Sequence, residues 1–127
     1  MHRIDFPAGS TIRLTATARA DAGVHRWDVR VLAAGEPADL TPRLSYGSEI
    51  GGADCDQRIV IPAQDMDCRL EIGSRHAIPG GWQDDYGSVE DDTPDGLLIG
   101  FSDAPTHASP KDDVQLNFAF EPAVPRH

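Results

Sequence analysis

A chain of 127 residues reads as one domain, long enough for a single core that buries roughly two-thirds of its unfolded surface. A formal net charge of −10 and a pI near 4.6 exclude the clustered Lys and Arg that nucleic-acid phosphates require, and an anionic membrane repels such a surface. The start, Met1-His2-Arg3-Ile4-Asp5-Phe6-Pro7, has no apolar run resembling a signal peptide, and Leu97-Leu98-Ile99 is far shorter than a membrane span. The expectation is a soluble protein, cytoplasmic or exported without a cleaved signal.

A period of two runs through the chain, and 12 Gly with 10 Pro imply many short elements. After the turn Pro7-Ala8-Gly9-Ser10, Ile12, Leu14, Ala16 and Ala18 alternate with polar residues, which is the pattern of a half-buried strand. Trp27, Val29 and Val31 do the same beyond Ala22-Gly23, and Trp27 belongs to the core by phase. A short segment follows around Leu44 to Tyr46, and Gly47 to Asp56 reads as irregular. Ile59 and Ile61 form a strand ended by Pro62, because proline cannot donate to a ladder. Cys68, Leu70 and Ile72 present the next inward face. Ile78-Pro79-Gly80-Gly81 breaks the pattern, and Gly81 to Asp95 reads as acidic loop with a short strand near Tyr86 to Val89. Leu97, Ile99 and Phe101 share one face of a strand, and Val114, Leu116, Phe118 and Phe120 share one face of the last, with a disordered tail after about residue 121. No window has apolar residues at helical spacing. The sum is an all-β domain over 1–127, an antiparallel β-sandwich of jelly-roll or Greek-key type with seven to eight short strands. An immunoglobulin topology does not fit, since the Cys-Trp-Cys order is missing.

The two cysteines are Cys55 and Cys68. If Arg58–Ile61 and Cys68–Ile72 form a hairpin, Cys55 opposes Ser74, about 20 Å of strand from Cys68. A disulfide needs roughly 4.4–6.8 Å between Cα atoms, so free thiols are expected, with Cys68 in the core. Cys55 could reach its partner only if its loop folds back.

Charge is concentrated late in the chain. From Asp84 to Asp113 there are nine carboxylates and one base, Lys111. With Leu97–Phe101 paired to Val114–Phe120, residues 102–113 form one loop whose base gathers Asp103, Asp112 and Asp113. Calcium takes about six to eight hard oxygens, which these carboxylates, Thr106 and nearby carbonyls could supply; solvated surface acids are the alternative. The second acidic cluster, Glu90 to Asp95, lacks the spacing of an EF-hand loop and lies at the opposite end of the Leu97 strand.

Trp82 follows Pro-Gly-Gly and precedes Asp84 and Asp85, so it either stacks on the apolar face of a sugar beside His76 or folds back over the core. His76 and His107 are on loops and read either as surface residues or, for His107 near Asp103, as a ligand-binding donor. His2, His25 and His127 are expected in solvent. There is no Gly-x-Ser-x-Gly elbow, no His-Glu-x-x-His and no phosphate loop. Paired carboxylates could serve glycoside hydrolysis, but the reading is a non-enzyme.

Three segments, Pro7-Ala8-Gly9-Ser10-Thr11-Ile12, Leu70-Glu71-Ile72-Gly73-Ser74 leading to Ile78-Pro79, and Phe101-Ser102-Asp103-Ala104-Pro105 with Asp112-Asp113, together resemble the calcium-dependent galactose-binding lectins of the PA-IL type. The resemblance covers about a third of the chain. It implies a jelly-roll sandwich whose last loop binds both calcium and sugar, with ligand roles on Asp103, Thr106, Asp112 and Asp113. Acids stand at 112 and 113 where that family has amides.

Two functions follow as expectations. One is a non-enzymatic binding module, calcium-assisted and carbohydrate-binding, with metal at Asp103, Thr106, Asp112 and Asp113 and ligand contacts from Trp82, His76, His107, Asp84 and Asp85. The other is a structural or interaction subunit of a bacterial or phage assembly, metal-free, whose acidic face meets a basic protein surface. Homo-oligomers suit either.

Overall fold

The computed structural model of the protein describes residues 2–19, 23–35, 41–51, 56–104 and 113–122. Among them are ten strands and no helix. In chain order they are β1 (His2–Phe6), β2 (Thr11–Ala18), β3 (His25–Ala33), β4 (Leu44–Ile50), β5 (Asp56–Ile61), β6 (Cys68–Ile78), β7 (Gly81–Asp84), β8 (Tyr86–Thr93), β9 (Gly96–Ser102) and β10 (Val114–Glu121). They form two antiparallel sheets. One has the order β1-β6-β3-β4 with β7 also on β6, and the other runs β5-β2-β10-β9-β8. This is the β-sandwich that the alternation of apolar and polar residues predicts.

The alternation works because successive side chains of a strand point to opposite faces. Ile12, Leu14 and Ala16 of β2, Trp27, Val29 and Val31 of β3, and Leu70 and Ile72 of β6 are all buried in one core with Leu116 and Phe118 of β10. Trp27 also ties the sheets together through a polar contact. Its indole Nε1 donates to Gln57 Oε1 of β5 at 2.7 Å, and Gln57 Nε2 donates to the Glu49 carbonyl of β4 at 2.9 Å. Buried indole N–H groups need such a partner.

Several expectations are corrected. The strands number ten because β1 and β7, too short to show a period, pair with β6. Residues 44–50 form a full strand, β4, held in register with β3, although Gly47 and Ser48 give it little to bury. Gly47 is required there: a Cβ would come within 2.8 Å of the Trp27 carbonyl. The expected hairpin of Arg58–Ile61 with Cys68–Ile72 does not form. β5 pairs with β2 in one sheet and β6 with β1 and β3 in the other, so 62–67 crosses between sheets. The register argument about Cys55 falls with it, and Cys55 lies outside the described residues. Cys68 is a buried thiol, held above its ordinary pKa by that burial.

Most of the supposed acidic loop is strand. Glu90, Asp91 and Asp92 lie on β8, the free edge of its sheet, which is bulged between Val89 and Asp91. Charges and bulges on an edge oppose strand-to-strand aggregation. The tail after residue 122 is outside the described residues.

Outside the core, Glu71 is the buried charge of the first sheet's outer face. It sits across from Arg3 on one side and Arg30 on the other. Arg3 Nε donates to its Oε2 at 3.1 Å, Arg30 Nη2 donates to Oε1, and Arg69 Nη2 lies 3.9 Å away. Burial would raise the Glu71 carboxyl, but its arginine hydrogen bonds and charges outweigh that and hold it below 4.5. A depressed carboxylate contributes stability that is present above its unfolded pKa and lost as pH falls through the folded one. Glu71→Gln is therefore predicted to cost about 2 kcal/mol at pH 7, with the gap to wild type closing as pH drops below 4.5. Urea unfolding of both proteins across that range checks this.

Candidate functional site

The chain passes from the first sheet to the second through one residue, Asp85, between β7 and β8. A strand change at a sandwich end usually happens in solvent, yet the Asp85 side chain is completely enclosed. Three donors surround it. His25 Nδ1 is 2.8 Å from Oδ2, Ser74 Oγ donates to Oδ2 at 2.6 Å, and His76 Nδ1 is 2.8 Å from Oδ1. The backbone N–H of Asp85 donates to the Ser74 carbonyl at 2.9 Å.

The local cause is strand phase. His25 is in phase with Trp27, Val29 and Val31, and Ser74 and His76 are in phase with Cys68, Leu70 and Ile72, so all three point inward at the ends of their strands. His25 and His76 are direct cross-strand partners, with ring centroids 6.2 Å apart. An ionised carboxylate only accepts hydrogen bonds. Against an ionised Asp85 each imidazole presents an Nδ1–H, and the Ser74 hydroxyl donates. This is not a nucleophile–base pair, because Ser74 gives its proton to the carboxylate and no imidazole nitrogen accepts it.

Burial alone would lower the His25 pKa. The Asp85 hydrogen bond and charge, reinforced by the charges of Asp113 and Asp103, outweigh burial and raise it above 6.5. Those two acids belong to the same end of the sandwich. The Asp103 N–H donates to Asp113 Oδ2 at 3.2 Å, and Arg19 Nη2 stands 2.9 Å from Asp113 Oδ1. Asp113 is nearly buried, at 2% exposure.

The sequence-predicted metal set is thus half visible. Asp103 and Asp113 do meet at the base of the last loop, while Thr106, His107 and Asp112 lie outside the described residues. Of the two Asp113 oxygens, one accepts from the Asp103 backbone amide and the other stands beside the Arg19 guanidinium. Among the described residues, no group of three His, Cys, Asp or Glu could hold a metal ion.

The predicted ligand residues come together more closely. Trp82, Asp84 and Asp85 follow one another along and beyond β7, and His76 lies on the β6 strand that β7 pairs with. Trp82 is on a strand and not in a loop, half-buried on the outer face, with the Arg26 guanidinium 5.0 Å from its ring centroid. Asp84 faces solvent and lies 3.5 Å from Arg75 Nε. His25, expected in solvent, is buried at 1% exposure. His2 is not free in solvent either: it is half-buried and packs edge-on against Phe101 with centroids 6.0 Å apart.

Beside Asp85 the edge of the first sheet is notched. β1 pairs with β6 as far as Ile72, and β7 resumes the pairing at Arg75, which leaves Gly73 and Ser74 without a partner strand on the side away from β3. The notch, of about 150 Å³, is bounded by Asp28, Ser74, Arg75, Asp84 and Asp85, with His2, Gly87 and Phe101 behind. Two glycines keep it open. A Cβ on Gly87 would fall 2.7 Å from Phe101 and 2.8 Å from His2, and one on Gly73 would fall 3.1 Å from Asp28 Oδ1. Asp28 was not singled out by sequence, because it occupies an ordinary outward position of β3.

No family model matches the chain and no curated protein matches it. Among solved structures, the chain is similar to the C-terminal domain of the BC2L-C lectin from Burkholderia cenocepacia, with 15% sequence identity, 91% of each chain covered and a TM-score of 0.47. That likeness assigns no role to any residue of this chain.

The buried cluster has a pH signature. A histidine whose folded pKa is raised contributes stability that is full below its unfolded value and lost as pH rises through the folded one. Wild type is expected to lose stability as pH rises beyond 6.5, and His25→Gln to lose this dependence. Denaturant midpoints measured at several pH values test it; parallel profiles for the two proteins would contradict it.

Proposed function

We propose that the protein is a non-enzymatic binding module that takes a neutral saccharide in the notch beside Asp85. The observation that carries the reading is the constellation of polar groups around an unfilled gap in a sheet edge. Asp28, Asp84 and Arg75 line the gap, Phe101 gives it an apolar wall, and glycines at 73 and 87 keep it clear. Sugar hydroxyls both donate and accept, so a rim of carboxylates beside a guanidinium suits them. Binding sites of this kind have a few fixed polar groups on a largely pre-formed surface.

Asp85 supports the site by position. Its three buried donors fix the β7–β8 crossover, and that crossover sets where Asp84 and Gly87 stand. Asp28 has no hydrogen-bond partner among the described residues, so its carboxylate is available to a ligand without breaking an existing bond. Trp82 and its Arg26 neighbour flank the site on the outer face. The proposal routes no step through calcium.

A titration of the ¹⁵N-labelled protein with neutral mono- and disaccharides tests the reading. At least one sugar is expected to shift the amides of Gly73, Asp84 and Gly87, and Asp28→Asn to weaken its binding about tenfold, the loss of one hydrogen bond to a charged group. Absence of such shifts across the panel would contradict the proposal, and shifts produced by a basic protein surface would favour the interaction-subunit reading. In the same experiment, replacing EDTA with calcium is expected to leave the melting temperature unchanged. A rise of several degrees that Asp103→Asn removes would show that residues 105–112 complete a calcium shell.

A further inference from the structure

The sandwich is left open along one side. Among the described residues β1 is at one edge of its sheet and pairs with β6 alone, and β8 is at the edge of the other and pairs with β9 alone. Between these two edges lies a groove of about 430 Å³, within the range of roughly 300–1,000 Å³ typical of small-molecule sites. Its lining joins Ile4, Ile72, Leu97 and Ile99, the last three being core residues, with the charged side chains of Arg3, Asp5 and Asp92.

Val89 makes this more than a gap between strands. It stands opposite Ile99 in the β8–β9 ladder, so it shares the face that Ile99 turns to the core. Ile99 is 1% exposed and Val89 51%, so among the described residues the core-side face of β8 is left uncovered at Val89. A core-facing valine without cover favours an apolar occupant, since burying it and the surface around it removes apolar area from water.

The groove also leads somewhere. His2 lines both it and the polar notch beside Asp85. Burial lowers the His2 pKa, and its ring, packed edge-on against Phe101, offers an apolar face as well as polar nitrogens at this junction.

We infer that the lateral groove between β1 and β8 binds the apolar portion of an amphiphilic small molecule, an alkyl or aryl chain whose hydroxylated head reaches past His2 into the notch. The head-group half of this inference rests on the saccharide reading; the apolar half stands without it. Continuity of the two cavities and the uncovered valine select this occupant.

The probes are n-octyl β-D-glucopyranoside below its micelle-forming concentration, glucose, and 1-octanol. Octyl glucoside and octanol are each expected to shift the amides of Ile4, Val89 and Ile99, and octyl glucoside to bind at least about tenfold tighter than glucose, which burial of two methylene groups supplies. Val89→Asp, at an exposed position the fold tolerates, is expected to abolish that gain. Val60→Asp, at the equally exposed opposite edge strand β5, should leave it intact.

Equal affinity for octyl glucoside and glucose, or no effect of Val89→Asp, would overturn the inference. So would a wild-type dimer in sedimentation that Val89→Asp converts to a monomer, which would make the groove a contact between copies. Octanol shifts in the groove without any sugar response in the notch would uphold the apolar site and sink the saccharide reading alone.

Discussion

A carboxylate buried without partners would cost several kcal/mol, so the crossover at Asp85 can exist only because three donors meet there. His25 comes from β3, and Ser74 and His76 come from β6. The three are held by the cross-strand register that also aligns Trp27, Val29 and Val31 with Leu70, Ile72 and Ser74. The hydrophobic core and the polar cluster are therefore one construction. The apolar alternation sets the phase of the strands, and the phase delivers the donors to the carboxylate.

The consequences extend to the surface. With Asp85 fixed, β7 stops at Asp84 and β8 starts at Tyr86, and the edge of the first sheet stays open at Gly73 and Ser74. The open edge forms the notch, and the groove between β1 and β8 adjoins it at His2. Among the described residues, the acids between Asp84 and Asp113 are distributed by this arrangement and do not form one patch. Asp85 is buried, Asp113 is paired with Arg19, and Glu90 to Asp92 guard a free strand edge.

The architecture was legible wherever a strand was long enough to show a period. β2, β3, β9 and β10 follow directly from residues such as Ile12, Leu14, Trp27, Leu116 and Phe118, and the antiparallel pairing of β9 with β10, taken as a premise for the last loop, is present. Pairing between distant strands was not legible, because alternation says which face is buried and nothing about which strand is the neighbour; hence the mistaken hairpin of β5 with β6. The candidate site was partly written in the same alternation. Continuing the phase of Leu70 and Ile72 to Ser74 and His76, and that of Trp27 back to His25, puts three polar side chains on the inner face. Inward polar groups demand a partner, and Asp85 is the acid within reach. Reading β6 as ending at Ile72 concealed this. Asp28 had no signal at all, since its role depends on glycines in two other strands.

The central claim is that Asp85 organises this end of the molecule by accepting hydrogen bonds from both imidazoles. Long-range ¹H–¹⁵N correlation spectra of the histidine rings test it most directly. The account predicts that His25 and His76 each carry a proton on Nδ1, slow to exchange with solvent, and that Asp85→Asn alters both rings together. Rings protonated only on Nε2, or resonances indifferent to Asp85→Asn, would contradict it.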